Sequence, residues 1–94
     1  MISLAVLGAT GSIGASTLDV VARHPERFRV YALSAHRSAS ALLELCRRHR
    51  PRYAVLSGMP EDARLRHEFR EQAGSELHFG AQALERVAAD AECR

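Results

Sequence analysis

The sequence predicts an α/β protein, a parallel sheet flanked by helices, and three observations carry that prediction. The run Ile2-Ser3-Leu4-Ala5-Val6-Leu7 is apolar with almost no alternation, as suits a strand covered on both faces. A glycine-rich turn, Gly8-Ala9-Thr10-Gly11-Ser12-Ile13-Gly14, follows without a break and leads straight into a helical stretch. One helix later, Phe28-Arg29-Val30-Tyr31-Ala32-Leu33-Ser34 is rich in strand-forming residues and closes a βαβ unit. Strand, glycine turn, helix and strand in that order describe a Rossmann-like arrangement. With 94 residues the chain holds one small domain at most, so the predicted fold is incomplete, the N-terminal half of a doubly wound sheet.

The turn has the chemistry of a phosphate cradle. Gly8 lets the chain reverse tightly, Gly11 leaves room for a pyrophosphate to approach the main chain, and Gly14 lets the helix pack close to the strand. The N–H groups of the helix start and the positive end of its dipole then face an anion. Thr10 and Ser12 add hydroxyls that can donate to phosphate or cap the helix. The spacing G-x-x-G-x-x-G is one residue longer in its first gap than the G-x-G-x-x-G fingerprint, so the match is a variant. The strand before it and the helix after it are the context that fingerprint demands.

The first helix should run from about Ser12 to His24, with Ile13, Thr17, Leu18, Val20 and Val21 toward the sheet, and Pro25 stops it. Asp19 on it is read as a structural carboxylate. After the second strand comes Ser34-Ala35-His36-Arg37-Ser38, which contains no acid. An acid in this place accepts from the ribose hydroxyls of NAD, whereas a cation accommodates the 2′-phosphate of NADP. Arg37, with its planar donors, and the Ser38 hydroxyl therefore favour NADP(H) over NAD(H), with His36 in the same loop. The alternative is that Arg37 is a solvated cation and Ser38 only a helix cap.

A second helix starts between Ser38 and Ser40, carries Leu42, Leu43, Leu45 and Cys46, and ends before Pro51. The strand Arg52-Tyr53-Ala54-Val55-Leu56 and the turn Ser57-Gly58-Met59-Pro60 follow. Glu61 and Asp62 open a third helix that reaches about Gln72 and is closed by Gly74. Leu77-His78-Phe79 forms a short strand at most, and residues 81–89 a last helix with Leu84, Val87 and Ala88 inward.

Composition narrows the function classes. Net charge +2 comes from scattered basic residues, and the densest group, Arg47-Arg48-His49-Arg50, falls at a helix end with no interleaved aromatics, so no nucleic-acid partner is expected. No apolar run approaches the roughly 20 residues a membrane helix needs, and the chain is expected to be soluble and cytoplasmic. Cys46 and Cys93 form no C-x-x-C, and Cys46 reads as a small core residue. His24, His36, His49, His67 and His78 lack metal-ligand spacing and read as surface or loop residues. No catalytic residue and no metal ligand is assigned.

The segment G-A-T-G-S-I-G-x-S-T-L-D-V-V (residues 8–21), with Pro25, Phe28, Val30, Ala32-Leu33, Cys46, Pro51-Arg52-Tyr53-Ala54-Val55 and Gly80-Ala81-Gln82-Ala83-Leu84, closely resembles the start of the 1-deoxy-D-xylulose 5-phosphate reductoisomerases. The resemblance spans almost the whole chain. It implies conversion of deoxyxylulose phosphate, a phosphorylated sugar, to methylerythritol phosphate in the non-mevalonate isoprenoid route. It further implies NADPH as reductant, a divalent magnesium or manganese ion, and a homodimer, all for the full-length enzyme. Gly8, Thr10, Gly11, Ser12, Ile13 and Gly14 are then the pyrophosphate side, and His36, Arg37 and Ser38 the 2′-phosphate side. Ser38 stands where the family usually has Asn, which implies somewhat weaker affinity and no change of cofactor.

The resemblance also implies that residues 1–94 are a partial NADP(H)-binding domain whose catalytic and C-terminal domains are absent, inactive by itself. Two other readings remain at this point: the NADP-binding portion of an extended short-chain dehydrogenase or epimerase, and a non-catalytic nucleotide-binding module. Ser16-Thr17-Leu18-Asp19-Val20-Val21 argues against the first. In the doubly wound order 3-2-1-4-5-6, the strand expected to flank strand one would begin near Ala89-Asp90. Strand one is therefore expected to be an apolar edge that promotes association.

Overall fold

The computed structural model describes residues 2–89. Four strands alternate with four helices: β1 (Ile2–Val6), α1 (Ser12–Arg23), β2 (Phe28–Ala35), α2 (Ala39–His49), β3 (Tyr53–Leu56), α3 (Ala63–Ala73), β4 (Glu76–Phe79) and α4 (Ala81–Ala88). All neighbouring strands pair in parallel in the order β1-β2-β3-β4. The predicted parallel α/β arrangement is what forms. The short strand at Leu77-His78-Phe79 is β4 and extends the sheet beyond β3. The strand expected to begin near Asp90 lies outside the described residues, as does Cys93.

Each face of the sheet has its own core. Leu18, Val21, Leu42, Cys46, Phe69 and Ala73 from α1, α2 and α3 pack with Val6, Val30, Leu33, Ala54, Leu56 and Leu77 of the strands. Val55 points the other way, as alternation between Ala54 and Leu56 requires, and joins Tyr31, Ala32, Ala83 and Val87 under α4. Within β2 the phase of alternation changes. Leu4 pairs with Val30 but Ala5 pairs with Ala32, so Tyr31 is an extra residue, a bulge. Because of it, Phe28 and Val30 before the bulge and Leu33 and Ala35 after it all reach the same core.

Several sequence expectations are corrected in α1 and α3. On α1 the buried residues are Gly14, Leu18 and Val21, spaced i, i+4 and i+7. Ile13 is 83% exposed and Val20 51%, so neither faces the sheet; they lie one helical step off that stripe. Glu61 and Asp62 precede α3 instead of opening it. The Asp62 carboxylate caps the helix, accepting from the N–H groups of Arg64 (3.0 Å) and Leu65 (3.3 Å), while Glu61 pairs with Arg66 at 2.6 Å. Gly74 closes α3 in the left-handed region as expected.

Asp19 pairs with Arg23 one turn on, at 3.1 Å, on the exposed side of α1. Cys46 is buried in the core, as read from its neighbours. On α4, Val87 is buried and Leu84 half-buried; the side chain of Ala88 lies outside what the structure describes. Two histidines are not simple surface residues. His49 is half-buried at the end of α2, and His78 is half-buried in β4, where it meets the Tyr53 ring at 5.6 Å.

Candidate functional site

In a parallel sheet the carboxyl ends of all strands lie along one edge, and the connections leaving that edge are where ligands bind in open α/β folds. Here that edge carries residues 7–11 after β1, residues 36–38 after β2, and residues 57–62 after β3. The two groups of residues expected from the sequence to meet a dinucleotide therefore lie on adjacent connections.

The first connection is pinned to β2. Gly8 takes φ +65°, a left-handed conformation that favours glycine. Its N–H donates to Ser34 Oγ at 3.1 Å, and the next N–H, of Ala9, donates to the Ser34 carbonyl at 2.7 Å. Gly11 N–H then turns back onto the Gly8 carbonyl at 3.0 Å. Sequence reasoning missed Ser34. The available signal was a small polar residue in an otherwise apolar strand end, and Ser34 is buried.

The start of α1 sits directly on this loop. Its N-cap is Gly11, with no side-chain capping bond and no acid in the first turn. The first N–H of the helix to find a carbonyl partner of the i→i−4 kind is Ala15, bonded to Gly11 at 2.9 Å, so the donors of Ser12, Ile13 and Gly14 head the helix at its positive end. A Cβ on Gly14 would lie 2.5 Å from the Gly8 carbonyl oxygen and 2.6 Å from Ala9 Cα, which shows how closely helix and loop are packed. At Gly11 the nearest such atom is 3.4 Å away. Thr10, Ser12 and Ile13 are exposed beside these donors, and the possibility that Thr10 or Ser12 caps the helix is not realised.

The second connection presents His36, Arg37 and Ser38, all exposed. Ser38 occupies the N-cap position of α2 but makes no side-chain capping bond, so its hydroxyl is not consumed by the helix. Arg37 enters no ion pair among the described residues. The loop itself is held by its backbone, Ala39 N–H to the Arg37 carbonyl at 2.9 Å.

This donor set fits a dinucleotide phosphate chain: helix-start N–H groups, no competing acid, and a cation on the neighbouring connection. The site is an open surface. A cavity of about 680 Å³ lies at the opposite end of β2, among Leu18, Val21, Pro25, Phe28 and Leu45, and does not touch it. Among the described residues there is no group of three or more His, Cys, Asp or Glu side chains placed to hold a metal ion, and no helix is long and apolar enough to cross a membrane.

Comparison with known proteins identifies the family. The family model for 1-deoxy-D-xylulose 5-phosphate reductoisomerase matches residues 4–94. The chain belongs to that family. A reductoisomerase of Nitrosospira multiformis is 54% identical over 86 residues, 90% of this chain and 22% of that protein. One from Idiomarina loihiensis is 48% identical over 89 residues, 95% of this chain and 22% of that protein. A crystal structure of DOX-P reductoisomerase in complex with NADPH, fosmidomycin and magnesium superposes with a TM-score of 0.86 at 35% identity, covering 99% of this chain and 23% of that one. The Zymomonas mobilis enzyme in complex with NADPH gives 0.79 at 35% identity, covering 97% and 24%. The chain thus spans about a quarter of the length of these relatives. The family match replaces the extended short-chain dehydrogenase reading.

Proposed function

We propose that this chain is the NADPH-binding portion of a 1-deoxy-D-xylulose 5-phosphate reductoisomerase. Gly8, Thr10, Gly11, Ser12, Ile13 and Gly14 take the pyrophosphate, and His36, Arg37 and Ser38 take the adenosine 2′-phosphate. The observation that carries this reading is the junction of loop and helix, where Gly14 leaves no room for a side chain and the helix-start donors stand beside an exposed, uncapped turn. In the whole enzyme, bound NADPH supplies the hydride that reduces the rearranged sugar phosphate. The part of this chain is to hold the cofactor: main-chain N–H groups neutralise the pyrophosphate without bringing a mobile side chain, and Arg37 selects for the extra phosphate.

The whole-protein activity, its phosphorylated sugar substrate, the divalent metal, a homodimeric state and a cytoplasmic location belong to the same proposal. Residues 1–94 are read as a partial domain, inactive alone.

NADPH should bind this chain weakly, with a Kd on the order of millimolar, because only one wall of the crevice is built from these residues. Titration of the labelled chain with NADPH and with NADH, followed by NMR, tests this. NADPH should be preferred, and Arg37→Ala should lower its affinity roughly tenfold while leaving NADH unchanged. Equal binding of the two cofactors would overturn the reading, whereas micromolar affinity for NADPH would overturn only the expectation that binding is weak.

A further inference from the structure

We propose that Gly58 is a positioning residue for the adenosine side of the site: the space left by its missing side chain receives the His36 imidazole, and this contact sets the connection that carries Arg37 and Ser38. The inference rests on the cofactor reading above and adds to it a residue on the third connection.

Two backbone bonds bring the connections after β2 and β3 together. Ser57 N–H donates to the Ala35 carbonyl at 3.0 Å, and Gly58 N–H donates to the His36 carbonyl at 2.7 Å. A Cβ built on Gly58 would overlap three atoms of the His36 ring, Cε1, Nδ1 and Nε2. The backbone does not itself require glycine here. The positive-φ glycines are Gly8, Gly74 and Gly80, and Gly58 is not among them. What distinguishes Gly58 is that an imidazole fills the volume its Cβ would take.

His36 is exposed, so the contact adds little to the core. Its effect is local. With the ring lying on the Gly58 backbone, the residue directly before Arg37 is held in one rotamer and anchored through its carbonyl. A methyl group at position 58 forces the ring off that surface while the backbone bonds stay in place, so its effect reaches Arg37 through the changed rotamer of His36.

The test is a double-mutant cycle in the 94-residue chain, with binding of 2′,5′-ADP and of 5′-ADP read by NMR titration. Gly58→Ala should weaken 2′,5′-ADP roughly three- to tenfold, leave 5′-ADP unchanged, and leave Tm within about 2 °C. In the His36→Gly background, Gly58→Ala should have no further effect. In the unsubstituted chain the Gly58 Hα resonances should carry a ring-current shift that disappears in His36→Gly. Equal losses in both backgrounds, or no ring-current shift, would overturn the role of Gly58. An undiminished 2′,5′-ADP response in Arg37→Ala would instead overturn the cofactor reading beneath it, whatever Gly58→Ala does.

Discussion

A methyl group added at Gly14 would meet backbone atoms of Gly8 and Ala9 at 2.5–2.9 Å, and backbone cannot swing aside. Gly14→Ala should therefore destabilise the fold by about 1–3 kcal/mol, measured by urea unfolding. Gly11 differs, with φ −85° and 3.4 Å of clearance. Gly11→Ala should hold stability within about 0.5 kcal/mol while weakening NADPH roughly tenfold, because its new methyl group stands where the phosphates approach. In the opening motif Gly8, at positive φ, and Gly14, against backbone, are thus held by the fold, while Gly11 has the clearance for the phosphates proposed to approach it. Cys46 shows a buried group acting on stability. Burial pushes its thiol up to about 12, and a hydrogen bond with Ser75 offsets part of that. Between about pH 9 and 12 the unfolded chain loses this proton while the folded chain keeps it, so its contribution, present below pH 9, is lost as pH rises. The fall in urea-derived stability over pH 9–11 should be shallower in Cys46→Ala than in the parent chain.

At the scale of elements, helices and strands were legible because their residues repeat at the right period and their ends carry Pro25, Pro51 and Gly74. The inward face of α1 was not fully legible. Its apolar residues cover more of the helix than one packing stripe, and only contact with β1 and β2 selects Gly14, Leu18 and Val21 over Ile13 and Val20. The loop after β1 likewise depends on a residue in another element. Ser34 accepts from Gly8 through its hydroxyl and from Ala9 through its carbonyl, so β2 holds the phosphate loop. Ser34→Ala leaves the partly buried Gly8 donor without its acceptor. It should cost about 1–2 kcal/mol in urea unfolding and weaken NADPH along with it.

At the scale of the whole molecule, β1 pairs with β2 on one side and forms an edge of the sheet among the described residues. Ile2 is 44% exposed and Leu7 52%. An apolar edge with free main-chain groups is a template for a second strand, and a chain this small has modest stability to set against it. Sedimentation velocity should show association that grows with concentration, and Ile2→Lys should reduce it. A monomer whose sharp unfolding transition does not depend on concentration would contradict this.

The sequence by itself determined the order of elements, the parallel α/β class, the phosphate-type turn and the family. The first three follow from periodicity, glycine placement and short-range order, all of which are local along the chain, and the family from the resemblance carried by residues 8–21 and the later matching positions. Tertiary structure decided the pairing of β4 with β3, the bulge at Tyr31, the Ser34 tie to Gly8, and the seat of His36 on Gly58. Each of these joins residues from different elements. No local pattern encodes them, because the energy they supply exists only once the chain has closed and brought distant donors, acceptors and volumes together.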